Sequence, residues 1–277
     1  MPININTNVA SLSVQQTLGT SGRGMAQSIK RLSSGMRINS AADDAAGLAV
    51  SEGLRAQVKG FQQASRNANQ AVAMLQTADS AQQSISDTLV RMRELAVQAA
   101  SDGITDTERG YINTEFSSLS SEITRISDVT EYNGQKLLDG TAGDSGTLTF
   151  QVGVRNTAND RITVSLADTD ATALSVNAAT VDSLANAQAA IDSIDTALGT
   201  LSTQRANTGA AMNTLSQAID NIGATMENLG IANGQIRDVD VASESAEFSK
   251  NQVLQQAGVS MLAQANASPQ FALRLLG

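Results

Sequence analysis

Few residues of this chain could carry out chemistry. The 277 residues include no His and no Cys, so the sequence offers no imidazole base, no thiol nucleophile and none of the commonest zinc ligands. Asp43 and Asp44 are adjacent carboxylates, a type of residue that acid–base catalysis uses. Adjacent residues on a helix point about 100° apart, so these two do not share a site. We therefore predict no catalytic residue, no cofactor and no bound metal.

Two further patterns are weak matches to known sites. Gly22-Arg23-Gly24 is a partial match to a glycine-rich phosphate loop, yet no strand precedes it and no Lys-Ser or Lys-Thr follows. Asn266-Ala267-Ser268 fits the N-glycosylation pattern, but Pro269 follows it directly. We interpret the first as a flexible part of a helix and expect no glycan on the second.

The charge pattern excludes several classes of partner. The formal net charge is −9 and the charged residues are scattered singly, which is typical of a solvated surface. No basic stripe indicates nucleic-acid binding, and no run approaches the ~20 apolar residues of a membrane span. The first residues lack the charged start and apolar stretch of a secretory signal. We expect a cytosolic protein or one exported without a cleaved signal peptide, with no nucleic acid bound and no membrane insertion.

The spacing of apolar residues predicts a mainly α fold. The prolines are Pro2 and Pro269, so nothing between them prevents long helices. Helices are expected over residues 4–34, from about 45 to 100, over 105–129, over 184–229 and from about 237 to 267.

The ends of these helices carry their own signals. Asp43 and Asp44 are expected in the first turn of the second helix, where negative charge suits the helix dipole. Thr105 followed by Glu108 fits a capping box at the start of the third helix. The segment Gly230 to Gly234 is expected to interrupt the chain before the last helix.

A different period appears between the third and fourth helices. Within residues 133–166, apolar and polar residues alternate around a polar loop, which predicts a small β-hairpin region. Residues 167–180 are rich in Ala, Thr, Asp and Ser, and we interpret them as a surface connection.

The helix over residues 184–229 carries the most regular signal. Its apolar residues step by three and four without a break over about six heptads, and only Arg205 and Thr208 are polar. Pairing with the second helix predicts a long antiparallel helical coiled-coil bundle. The residues expected in this intrachain rod seam are Leu54, Val58, Phe61, Leu75, Leu89, Leu198, Leu201, Leu215 and Ile222.

The first and last helices carry weaker apolar stripes. Isolated helices are marginal without packing, so segments that fold only when a partner covers them are suited to polymerisation. The residues predicted to make these self-assembly contacts are Val9, Leu12, Ile29, Leu32, Val253, Leu254, Met261 and Leu275.

Several long motifs resemble one family. Residues 29–50 read IKRLSSGMRINSAADDAAGLAV, which resembles the N-terminal signature of bacterial flagellin. The family more often has Leu, Lys and Ile where this chain has Met36, Ala42 and Val50. Further segments that look like flagellin are INTN at 5–8, RELAVQ at 93–98, NQVLQQAG at 251–258 and LAQAN at 262–266. The resemblance covers about residues 1–165 and 181–277.

The resemblance implies a domain organisation and a function. Residues 1–40 and 235–277 would form a terminal coiled-coil domain that lines an inner tube. Residues 41–234 would form a helical rod domain with the β-hairpin region. Residues 167–180 would be the vestige of the family's variable insertion, so the chain resembles a short, core-only flagellin. Such a protein is a structural subunit of the flagellar filament, exported unfolded through the flagellar export apparatus.

The resemblance also implies partners. They are further copies of the chain, an export chaperone on the C-terminal helix, and the filament cap and hook-junction proteins. Arg91, Leu95 and Glu115 match family positions contacted by Toll-like receptor 5 of animal hosts, with inter-subunit packing as their alternative role. Two alternative functions are a hook–filament junction protein and a soluble coiled-coil adaptor. A flagellin with a zinc protease in its variable region would need His, which this chain lacks.

Overall fold

The computed structural model describes residues 7–275, and the side chains of residues 7–267. Within the chain, Met1–Ala56 and Asn228–Gly277 form one compact unit, and Gln57–Glu227 forms a second. We refer to them as the terminal unit and the rod unit.

The described residues are mainly helical, which confirms the predicted fold class. The helices are α1 (Val9–Ser34), α2 (Ala45–Ala99), α3 (Asp106–Val129), α4 (Leu184–Arg237) and α5 (Val241–Leu275). The strands are β1 (Glu131–Tyr132), β2 (Gln135–Lys136), β3 (Thr147–Gln151) and β4 (Arg161–Ser165). They form two antiparallel pairs, β1 with β2 and β3 with β4. In the second pair Leu148 lies opposite Val164, and both side chains are buried.

The first helix begins later than predicted. It starts at Val9, because the side chain of Asn8 accepts a hydrogen bond from the backbone N–H of Ser11 and caps the helix. It ends where Gly35 adopts a left-handed conformation with φ of 70°. Residues 4–6 of the predicted helix lie outside the described part of the chain.

The two aspartates precede α2 instead of lying in its first turn, so that prediction is wrong. Asp44 Oδ1 accepts a hydrogen bond from the backbone N–H of Gly47 at 2.9 Å, which is the geometry of a helix cap. Asp43 Oδ2 accepts from the backbone N–H of Ser40 at 2.9 Å and from that of Asn39 at 3.2 Å. The carboxylates therefore stabilise the turn that leads into the helix.

The predicted interruption at Gly230 to Gly234 is also wrong. The fourth helix continues to Arg237, because glycine inside a helix costs only about 1 kcal/mol and neither glycine has a positive φ. At its end, the segment that follows α4 forms backbone hydrogen bonds with the segment that follows α1. Arg37 N–H donates to the carbonyl of Arg237 at 2.7 Å, and Val239 N–H donates to that of Gly35 at 3.0 Å. The last helix then extends to Leu275, past the predicted end near residue 267.

The core of the rod unit is built from α2, α3, α4 and the segments around the strands. Each of the three helices contributes fully buried side chains: Leu75, Ile85, Leu89 and Met92 of α2, Phe116 and Ile123 of α3, and Ile194 and Leu201 of α4. The capping box at Thr105 and Glu108 is present and starts α3 as predicted.

Residues 167–180 include exposed residues, as the prediction of a surface connection requires, but they also contribute side chains to this core, which the prediction missed. Ala171, Leu174 and Val176 are at most 3% exposed. The segment is tied to the core by Thr169 N–H, which donates to the carbonyl of Leu138 at 2.9 Å. Its apolar residues follow neither a helical nor a strand period, so the pattern carried no signal of burial.

Candidate assembly surface

The most buried residues of α1 and α5 are small or polar. Ser11, Ser21 and Ser28 of α1 are at most 7% exposed, and Asn251 of α5 is 8% exposed. A Cβ atom added to Gly258 would lie 2.9 Å from Leu18 Cγ, so the absence of a side chain lets the two helices approach closely. The most buried positions of this helix pair are therefore small or polar, and the half-buried positions include Val14, Leu18, Met25, Leu32, Phe248 and Leu262.

Other large apolar side chains of the same helices are exposed. Val9, Leu12 and Ile29 of α1 are 51–65% exposed, and Val253 and Met261 of α5 are 62% and 59% exposed. We use the name uncovered apolar set for Val9, Leu12, Ile29, Val253, Leu254, Val259 and Met261, and Val241, the first residue of α5, is exposed as well. Several large apolar side chains left in solvent on one helix pair mark an interaction surface.

The structure thus exposes most of the residues predicted for self-assembly. Leu32 is half-buried, and the side chain of Leu275 lies outside the described part. Val259, which the prediction omitted, joins the set. That these residues make the contacts of self-assembly stays a prediction.

Ion pairs fix the end of the helix pair. Arg31 of α1 lies 3.3 Å from a carboxylate oxygen of Glu244 in α5. Arg237 lies 3.0 Å from a carboxylate oxygen of Glu52. At the other end, Asn8 Nδ2 donates to the carbonyl of Ala265 at 2.9 Å. These contacts set which parts of α1 and α5 lie side by side and so place the uncovered apolar set.

The predicted rod seam is buried in its central part. Leu75, Leu89, Leu201, Leu215 and Ile222 are at most 5% exposed. Four other predicted seam residues are half-buried: Leu54, Val58, Phe61 and Leu198. Leu54 belongs to the terminal unit and the other eight belong to the rod unit.

The predicted receptor residues do not all share a surface. The Arg91 guanidinium donates to Glu115 Oε1 at 2.9 Å and to Glu94 Oε2 at 2.9 Å, and all three side chains are about half exposed. These carboxylates raise the pKa of Arg91, with the hydrogen bond to Glu94 as the largest cause. Leu95 is 3% exposed, because its side chain packs in the core. Its inclusion in a surface with Arg91 and Glu115 is therefore wrong for the single chain.

The turn before α2 has a distinct electrostatic environment. The hydrogen bond from the Ser40 hydroxyl, followed by that from its backbone N–H, lowers the pKa of the Asp43 carboxyl. The ammonium group of Lys30 lies 3.9 Å from Asp43 Oδ2 and acts in the same direction. A charged Asp43 therefore stabilises the turn that connects α1 to α2.

No grouping in the described residues resembles a catalytic centre. Among them, no group of three or more His, Cys, Asp and Glu residues could hold a metal ion. A cleft of about 230 Å³ beside Phe61 and Ile222 contains a single titratable residue, Asp160, so it offers no acid–base pair. Within the described range, no helix is long and apolar enough to cross a membrane.

Sequence reasoning missed the inner side of the α1–α5 pair. Serine, glycine and asparagine do not register as an apolar stripe, so the apolar pattern did not identify them as residues between the two helices. The seven-residue spacing of Ser21 and Ser28 was the available signal, since both lie on one helix face.

Comparison with known proteins agrees with this architecture. Residues 5–143 match the bacterial flagellin N-terminal helical region, and residues 191–276 match the bacterial flagellin C-terminal helical region. The chain is 41% identical to a flagellin of Halalkalibacterium halodurans and 39% identical to one of Bacillus subtilis. Both comparisons cover 98% of this chain and 99% of the relative.

Solved structures are similar as well. A Bacillus cereus flagellin crystal structure matches with 32% identity and a TM-score of 0.50, over 57% of this chain and 88% of the other. A putative flagellar hook-associated protein from Vibrio parahaemolyticus matches with a TM-score of 0.58, over 71% of this chain and 100% of the other. Its 16% identity indicates a shared fold alone.

Taken with the fold and the uncovered apolar set, these matches define a helical structural protein that assembles into filaments. The chain belongs to the bacterial flagellin family. It is a structural subunit of the extracellular flagellar filament, it polymerises with itself, and it is not an enzyme. Neither alternative, the hook–filament junction protein or the soluble adaptor, is favoured by the family match.

Proposed function

We propose that the uncovered apolar set forms the contacts between neighbouring subunits in the filament. The observation that carries this proposal is the exposure of Val9, Leu12, Val253 and Met261 on a helix pair whose most buried residues include three serines. Covering such side chains stabilises an assembly by about 25 cal/mol per Å² of apolar surface removed from water. Leu32 and Leu275 are proposed as further members of these contacts.

The test is seeded filament growth. The double variant Leu12→Asn with Val253→Asn removes apolar surface from both helices without touching the buried serines. We expect it not to elongate filament seeds, while the circular dichroism of the rod unit is retained. The matched control is Gln16→Asn with Gln256→Asn, two exposed polar positions on the same helices. Growth of the first variant at the rate of the control contradicts the proposal.

The two units of the chain are proposed to occupy different parts of the filament. We propose that residues 1–40 and 235–277 line the inner tube of the filament and that residues 41–234 form the rod around it. The support is the division of the chain near residues 56 and 228, together with the concentration of uncovered apolar residues on α1 and α5. Residues 167–180, proposed as the site of the family's variable insertion, bury Ala171, Leu174 and Val176 and leave residues such as Thr172 and Asn177 exposed.

A chaperone for the last helix follows from the same surface. Val253, Leu254, Val259 and Met261 are exposed in the single chain and need a cover before assembly. We propose that the flagellar export chaperone binds this helix and that the chain leaves unfolded through the flagellar export apparatus. Deleting residues 260–277 is expected to abolish chaperone binding while the rod helices stay folded. Undiminished chaperone binding would place the chaperone site elsewhere.

Further partners are proposed on the family match. The filament cap and the hook-junction proteins meet the chain at the two ends of the filament, through the same terminal helices. Recognition by Toll-like receptor 5 is proposed for the exposed pair Arg91 and Glu115, without a direct contact from Leu95. The support is the exposure of this ion pair on α2 and α3.

A further inference from the structure

The apolar residues between α2 and α4 recur so regularly that they do not by themselves fix how far one helix is shifted along the other. Apolar residues recur every three and four positions along α4 over about six heptads. A shift of one helix by seven residues, about 10 Å along the axis, returns apolar residues to apolar positions. A seam of this kind therefore needs an additional element to exclude shifted alignments.

A polar residue interrupts this seam in α2. Gln82 is 0% exposed, and neither Nε2 nor Oε1 has a hydrogen-bond partner among the described residues. Its neighbours along the seam, Ala78 and Ile85, are also fully buried. A buried amide without partners destabilises the fold, so packing stability does not explain a glutamine at this position.

The polar interruption of α4 lies at the same level. Arg205 Nε donates to Asp79 Oδ1 at 2.9 Å, and another guanidinium nitrogen donates to Gln83 Oε1 at 2.5 Å. Asp79 and Gln83 flank Gln82 along α2, so Arg205 and Gln82 share one level of the seam. The adjacent Gln204 also has a buried Oε1 without a partner among the described residues.

The remaining polar position of α4 extends this level by one turn. Thr208 is 1% exposed, and its hydroxyl donates to the carbonyl of Gln204 within the same helix. The polar positions of the two seams therefore lie near the same level. We call Asp79, Gln82, Gln83, Gln204, Arg205 and Thr208 the polar layer.

We propose that the polar layer fixes the register of α2 against α4 and does so at a cost in stability. Displacement by one heptad would bring Leu198 or Met212 to the level of Gln82. It would also remove Arg205 from Asp79 and bring it to the level of Val72 or Ser86. Both displaced alignments would place Gln82 opposite an aliphatic side chain and separate Arg205 from Asp79 and Gln83, whereas the native register keeps these polar residues at one level. A single polar seam position is known to specify alignment in this way.

The absence of cysteine from the chain makes the register directly measurable. Arg93 Nε lies 2.6 Å from Asp195 Oδ1, so Arg93→Cys with Asp195→Cys reports the native register. Arg93→Cys combined with Ser202→Cys or with Gln188→Cys reports a shift of seven residues in either direction. Each pair is refolded from denaturant and treated with a short bismaleimide cross-linker.

Each cysteine pair is measured with and without the double substitution Gln82→Leu and Arg205→Leu. We expect the pairs that report a shifted register to cross-link at least threefold more when both leucines are present, and the thermal unfolding midpoint to rise. Gln76→Leu, an exposed position on the same helix, is the matched control and should leave cross-linking unchanged. If the double variant does not fold, Gln82→Leu alone is used, with a smaller increase expected. Shifted cross-linking that stays at the level of the unaltered chain in every folded variant overturns the proposal.

Discussion

Arg109 Nε donates a hydrogen bond to the carbonyl of Ala99, the last residue of α2, at 2.8 Å. The same guanidinium donates to the carbonyl of Ser101 at 2.9 Å and to Asp106 Oδ1 at 2.7 Å. Its side chain is 8% exposed, although arginine is rarely buried. One residue of α3 therefore satisfies carbonyl groups at the end of α2 and closes the connection between the helices.

Replacing this arginine should destabilise the rod unit. Arg109→Met keeps much of the apolar stem but leaves buried carbonyl groups without donors, so we expect a loss of about 2–4 kcal/mol of unfolding free energy. Denaturant unfolding followed by circular dichroism measures this loss. Arg125→Met, which breaks an exposed pair with Glu122, should cost much less unfolding free energy. Equal effects of the two substitutions would show that the connection does not depend on Arg109.

The close approach of α1 and α5 should be sensitive to the size of residue 258. Gly258→Val places a side chain against Leu18 and should separate the helices, so we expect elongation of filament seeds to slow at least tenfold. Gly19→Val is the matched control, since a Cβ atom at Gly19 meets nothing within 4 Å in the single chain. Normal elongation by the Gly258 variant would show that the helix pair separates in the filament.

The turn before α2 should weaken in acid. Because the folded state lowers the pKa of Asp43, its stabilising effect is present above the unfolded value of about 3.9 and is lost as the pH falls through the lowered folded value. An NMR titration of the Asp43 carboxyl carbon measures the folded pKa. Ser40→Ala removes the largest cause, the hydroxyl hydrogen bond, and should move the pKa upward. No movement would assign the shift to another group.

Host recognition should depend on Arg91. Arg91→Ala removes the exposed partner of Glu115 without disturbing the core, so we expect weaker binding of the soluble subunit to the Toll-like receptor 5 ectodomain. Surface plasmon resonance with equal amounts of folded protein provides the measurement, and Arg125→Ala is the control. Leu95→Ala is left out because it would create a cavity in the core. Unchanged receptor binding by the Arg91 variant excludes this pair from the receptor surface.

The sequence predicted the regular helices and strands better than it predicted what they pack against. The period of the apolar residues located α2, α3 and the core of the seam, because burial of one face imposes that period. It failed at Gly230, where a helix continued through a residue with low helix propensity. It also failed for Leu174 and Val176, whose burial depends on distant contacts and on no local period.

The residues of the candidate surface were predicted, whereas the packing between the two helices was not. Val9, Leu12 and Val253 were selected as weakly amphipathic positions, and the structure places them in solvent. The small residues between the helices, such as Ser21 and Gly258, carry no apolar signal and were missed. Arg109 was missed because an isolated arginine in a sequence gives no indication that it will be buried.

The terminal helices are proposed to acquire their missing contacts from neighbouring subunits. Amide hydrogen exchange of the same chain, measured first as dilute monomer and then as filament, tests this proposal. We expect α1 and α5 to exchange rapidly in the monomer and slowly in the filament, while Leu89 and Leu201 in the rod unit are protected in both. Strong protection of α1 and α5 in a monomer that never forms filaments would contradict it.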